Sequence, residues 1–177
     1  MTVVVLVAAV GAGMLVRELQ PAAGVSGAAS IGNNAPPRAA EPGPATVALV
    51  EDVAIHPDAG RVLRVLQKYF DAINTGNYTL WRSTVTPQRA RDTGETGWRD
   101  QYRSTLAGSI VLHRLEPRAG GGLVALLSFT SLQNPADAPP ELPVRCLRWW
   151  VSYPLTGAGD ELRLSPSSPS ASLRVPC

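Results

Sequence analysis

The chain has 177 residues, enough for one ordinary domain and little more. Charged residues make up 17% and the net charge is +2, too little for a nucleic-acid groove, which concentrates Lys and Arg on one face. With two Cys and two His, a four-ligand zinc site without carboxylates would need all four to converge.

Thr2 to Val16 carries no charged side chain, and Arg17-Glu18 closes the run. A spanning helix needs about 20 apolar residues, about 17 at the least, so this run is slightly short for one. It is somewhat long for a signal-peptide core, and no Lys or Arg precedes it. Residues 1–18 are therefore expected to be a transmembrane anchor or signal segment, with the true start upstream or the chain beginning inside its anchor. The plainer alternative is a buried core helix or strand, but no packing partner is near in sequence. No Cys follows the run, which excludes a lipid-modified cysteine. Gly27-Ala28-Ala29 would suit a signal peptidase but lies far from the run, which favours a retained anchor. Residues 19–45 are rich in Ala, Gly, Pro and Ser and poor in large apolar residues. Such a segment cannot offset its ordering entropy by burial and reads as a disordered linker.

Residues 46–177 form the expected folded domain. Val47, Leu49, Val50, Val53 and Ile55 make a short lead-in. His56-Pro57-Asp58 opens a helix, because Pro suits a first turn and Asp faces the positive end of the dipole. Val62, Leu63, Val65, Leu66, Tyr69, Phe70 and Ile73 follow at helical spacing. Gly76 is the expected left-handed cap, and Asn77 caps a second short helix holding Tyr78, Leu80 and Trp81. Thr86-Pro87 should break that helix, 93–97 should be a loop, and 98–106 a third helix. The period then changes from helical to alternating. In 109–116, Val111, His113 and Leu115 share one face, and Ile110, Leu112 and Arg114 the other. A strand is expected over 122–132, a Pro-rich excursion over 134–143, and a strand over 144–153 with Leu147, Trp149, Val151 and Tyr153 on one face. A glycine hairpin, a short strand over 161–165 and a Ser/Pro tail complete the chain. Helices followed by an antiparallel meander predict an α+β fold.

Tyr69-Phe70-Asp71-Ala72-Ile73-Asn74-Thr75-Gly76-Asn77-Tyr78, followed by Trp81, resembles the opening of the nuclear-transport-factor-2-like superfamily. Ketosteroid isomerases and polyketide-cyclase-like proteins belong to that superfamily. Ser128 to Asp137, then Cys146-x-Arg148-Trp149 and Cys177, is similar to its exported actinobacterial domains. The resemblance implies N-terminal helices packed on a strongly curved, cone-like antiparallel sheet. It does not imply a function, since the same cone hosts enzymes, ligand binders and interaction modules.

Two Cys in an exported domain most simply form one disulfide, here Cys146–Cys177. Two free thiols or intermolecular pairing are the alternatives. Closing a loop of about 30 residues contributes roughly 3–4 kcal/mol in the chain-entropy model. His113 is the one His within a predicted strand and would need an open pocket and a partner to act as a base. The blander reading is a half-buried histidine bonded to backbone or water. Asp71 and Asp100 are the carboxylates nearest the expected cavity walls. The isomerase branch sets an Asp base opposite a Tyr/Asp pair. Those positions have no counterpart here, so no catalytic residue is carried over. Phe70, Trp81, Trp149, Trp150 and Tyr153 are the candidates for a cavity or an interface. The simpler reading of most of them is core packing. Trp150 points opposite Trp149, so one of the pair lies outside, where it would mark an interface. Arg145, Arg148 and Arg163 read as surface-facing strand arginines. No motif calls for a cofactor or a metal.

The expectation is a membrane-tethered, extracytoplasmic, non-catalytic module for small-ligand binding or protein–protein interaction in the cell envelope. It would be secreted if the N-terminal segment is cleaved. Its expected partners are the membrane, an envelope protein or a second copy, and an apolar small molecule, with no nucleic acid. The alternative is a small isomerase, cyclase or dehydratase using His113 or an acidic residue in the cone.

Overall fold

The computed structural model describes residues 42–168 and 171–177. The expected anchor and most of the expected linker lie outside these residues. The chain enters through β1 (Ala48–Leu49) and a single helical turn, α1 (Glu51–Ala54). Four helices follow: α2 (Ala59–Asn74), α3 (Tyr78–Thr84), α4 (Pro87–Thr93) and α5 (Glu95–Gln101). The strands are β2 (Leu106–Pro117), β3 (Leu123–Leu132), β4 (Cys146–Thr156), β5 (Arg163–Leu164) and β6 (Ser172–Pro176). They form one sheet in the order β1-β2-β3-β4-β5, with β6 also paired to β4. The class is α+β, as expected. The sheet is mixed rather than antiparallel, because β1 runs parallel to β2. Among the described residues, no helix is long and apolar enough to cross a membrane.

The longest helix follows from its sequence. Val62, Val65, Leu66, Tyr69, Phe70 and Ile73 recur at helical spacing and are buried. Past Thr75, Gly76 takes φ +63°, and the Asn77 and Gly76 N–H groups donate to the Ala72 and Ile73 carbonyls. This closure needs a residue without Cβ strain at Gly76. The Asn77 side chain then accepts from the Leu80 N–H and starts α3.

The break expected at Thr86-Pro87 is present, and two expectations after it fail. Thr86-Pro87 starts a helix as well as ending one. Thr86 accepts from the Arg89 N–H at 3.3 Å, and Pro87 occupies the first helical position, where its missing N–H costs nothing. Gly94, at φ +65°, ends α4 and opens α5 where a loop was expected. The helix predicted over 98–106 stops at Gln101, and β2 takes over from Leu106.

The β2–β3 pair departs from simple alternation twice, first between Gly108 and Val111. The two strands shift register again between Leu112 and Arg114, so His113 sits in a bulge. The core face therefore reads Ile110, Leu112 and Leu115, while His113 and Arg114 are both exposed. The predicted sharing of one face by His113 and Leu115 is overturned by that extra residue. The tail also does more than expected: 172–176 pair with 147–151 as β6. Beyond it, Cys177 is disulfide-bonded to Cys146, 31 residues away.

Candidate functional site: an aromatic cavity around Arg89

A cavity of about 420 Å³ opens between the helices and the inner face of the sheet. That lies within the size range of small-molecule sites. Helix α2 supplies Tyr69, Phe70 and Ile73, α4 supplies Arg89, and α5 leads into Tyr102. The sheet supplies Phe129, Ser131, Trp149, Val151 and Tyr153. Strand alternation puts these residues on one side, since Phe129 faces Trp149 across the β3–β4 pair.

The walls are largely aromatic. The Phe129 and Trp149 rings stack at 5.9 Å, and Phe70 meets Phe129 edge-on at 5.2 Å. Tyr69 meets Tyr153 edge-on at 5.7 Å. The polar groups of the far wall are tied to one another. The Trp149 Nε1–H donates to Ser131 Oγ at 2.8 Å, and Ser131 donates to Gln133 Oε1 at 2.7 Å. Gln133 Nε2 donates in turn to the Val144 carbonyl. This chain fixes the indole plane and holds the 134–143 excursion against the sheet.

Arg89 is the one cation among the lining residues described. Its Nη2 donates to the Tyr69 hydroxyl at 3.0 Å, and its Nη1 to the Ser165 carbonyl at 3.5 Å. The guanidinium lies 5.4 Å from the Tyr69 ring centre and 5.6 Å from that of Tyr153. The Tyr69 and Tyr102 hydroxyls are 3.2 Å apart. Among the described residues no carboxylate pairs with Arg89. Burial acts to lower its pKa, but the surrounding Tyr69, Tyr153 and Tyr102 phenols act the other way, and the net displacement is upward. Burial pushes the Tyr102 and Tyr153 phenols well above the ordinary value, with Tyr69 adding to the effect. All three groups thus keep their protons at neutral pH, leaving one positive charge ringed by neutral hydroxyls.

The cavity also contains a carboxylate, Asp137, which already has partners. It accepts from Ser104 Oγ at 2.7 Å and lies 3.7 Å from Arg103 Nη1.

The sequence candidates divide. Phe70, Trp149 and Tyr153 line the cavity. Trp81 does not: it is buried beside Trp98 and Tyr78, with ring centres 5.8 and 5.6 Å away. The Trp81 and Trp98 indole N–H groups have no hydrogen-bond partner among the described residues. Trp150 is on the outer face of the sheet, 46% exposed, beside Leu173 at 71% and near Val175 at 45%. His113 is exposed and bonded to Ser128 at 2.7 Å. Ser128 alternates with cavity-lining Phe129, so this pair also faces away from the cavity. Asp71 accepts from Gln67, and Asp100 pairs with Arg103 at the surface. Arg145 and Arg148 are exposed, and Arg163 is half-buried.

Sequence reasoning missed Arg89, Tyr102, Gln133 and the ordering of the tail. Thr86-Pro87, read as a helix start, would have placed Arg89 on an ordered turn. Nothing local says that this turn faces three tyrosines drawn from α2, the α5 terminus and β4. Among the described residues no group of three His, Cys, Asp or Glu could hold a metal ion. Comparison with family models, with curated proteins and with solved structures returns no match.

Proposed function

We propose that the chain is a membrane-tethered, extracytoplasmic, non-catalytic module that binds a small apolar ligand in its aromatic cavity. The cavity carries this reading: about 420 Å³, walled by stacked and edge-on rings from α2, β3 and β4. The proposal includes the nuclear-transport-factor-2-like fold. Helices over one face of a bulged sheet, with a pocket between them, support that architecture. The Cys146–Cys177 disulfide supports an oxidising location. Tethering through residues 1–18 rests on their apolar run.

The enzyme alternative draws less support from the geometry. His113, the base it would use, is exposed and bonded to Ser128 on the opposite face from Phe129. The interaction half of the reading rests on Trp150, Leu173 and Val175, an exposed apolar group on that same outer face.

The test is uptake of N-phenyl-1-naphthylamine, a neutral apolar fluorophore, by the full-length chain. Micromolar binding is expected, and an Ala138→Trp substitution in the cavity wall should weaken it at least tenfold with the circular dichroism unchanged. Absence of binding, or binding indifferent to that substitution, would remove the cavity as the site. Turnover that disappears in a His113→Ala variant would establish the enzyme reading instead.

A further inference from the structure

We infer that the cavity is selective for small monocarboxylic acids with a flat apolar body, with Arg89 as the group that receives the carboxylate. The inference rests on the ligand-binding reading above and names the ligand's chemistry. A cation held partly out of water is retained at a cost unless something neutralises it. Among the described residues nothing with a negative charge does so for Arg89. Its two donations among the described residues, to Tyr69 and Ser165, go to neutral oxygens. The Nε–H and the remaining Nη hydrogens have no partner among the described residues. A guanidinium presents its donors in a planar fork that matches the two oxygens of a carboxylate.

The surroundings sharpen the choice. Arg89 brings a single positive charge to the cavity, and Asp137 is already held by Ser104 and Arg103. A doubly charged phosphate would meet one cation and one carboxylate, whereas a monocarboxylate is matched by Arg89 alone. The Tyr69 and Tyr102 hydroxyls stand 3.2 Å apart, and since one donates to the other, one hydroxyl proton is left to donate to the same anion. Neither Tyr102 nor Tyr153 competes as an anion, because burial keeps both protonated. The rest of the ligand would lie against Phe70, Phe129 and Trp149. These are broad apolar faces that favour a flat ring system over a flexible chain.

The experiment compares two probes of one shape on the full 177-residue chain by calorimetry. These are 1-naphthoic acid, charged, and 1-naphthalenemethanol, neutral. The acid should bind at least tenfold more tightly. Arg89→Met should weaken the acid at least tenfold and the alcohol less than twofold, and Arg89→Lys should recover part of the loss. Equal affinity for the two probes in the unaltered chain overturns the inference while leaving the cavity as a binding site. Equal losses for both probes in Arg89→Met do the same. Binding of neither probe overturns both readings. The comparison in the unaltered chain decides the matter even if the variants fold poorly.

Discussion

Tyr102 and Tyr153 reach the cavity from different elements, yet burial forces the same protonation state on both. The ordinary phenol pKa is about 10, and both folded values lie well above it. An unfolded chain therefore releases these protons first as pH rises. Stability conferred by the neutral phenols is complete below about pH 10 and is lost as pH climbs through the range above it. Thermal melts between pH 8 and 11.5 should show midpoints falling steeply above pH 10. In Tyr102→Phe and Tyr153→Phe that fall should flatten. Identical slopes in the variants would show that neither phenol controls alkaline stability. Phe129 and Trp149 are a different kind of residue. Their inward direction follows from strand alternation and was readable in advance.

Elements were legible where one period ran without interruption. Helix α2 declared itself through six core positions and a glycine-dependent stop. Strands β3 and β4 declared themselves through alternation. Legibility failed where one residue changed the count or served two roles. His113 is an extra residue in β2 and reverses the facing of everything after it. Thr86-Pro87 both ends and begins a helix. Strand β6 is five residues with a solvent-facing side, too short to show a period. The site depended on the part that could not be read, since Arg89 gains meaning only from residues distant in sequence. One junction between elements is set by a single side chain. Asn74 Nδ2 donates to the Ala107 carbonyl at 2.9 Å, and its Oδ1 accepts from the Ala107 N–H at 2.7 Å. Asn74→Ala leaves both groups of a buried residue without partners, at about 1–3 kcal/mol. Urea unfolding should report that loss, and an unchanged midpoint would show that water replaces the amide.

At the scale of the whole domain, the Cys146–Cys177 bond closes a loop that contains β4, β5 and β6. Its removal should cost about 3–4 kcal/mol on chain-entropy grounds. A paired Cys146→Ala, Cys177→Ala variant should show this in denaturant. It should also bind N-phenyl-1-naphthylamine less tightly. The bond holds β6 where Arg174 lies 5.3 Å over the Trp149 ring and pairs with Glu141 of the excursion. Two reactive thiols in the unreduced, denatured protein would refute the bond. Undiminished binding by the variant would show that the wall holds without it.

The entry of the chain is pinned just as firmly, and by backbone. Residues 42–45, expected to belong to the linker, lie against the start of β2. A Cβ on Gly108 would meet the Gly43 carbonyl at 2.3 Å, so glycine lets the two segments touch. The Ser109 N–H donates to the Pro44 carbonyl, and Gln67 grips Ala45 and Val47 from α2. Tension applied through the residues before 42 would thus enter the sheet directly. It would also pass through Gln67 into α2, the helix that carries Tyr69 beside Arg89. The lead of the domain is coupled both to the sheet edge and to a helix that walls the pocket.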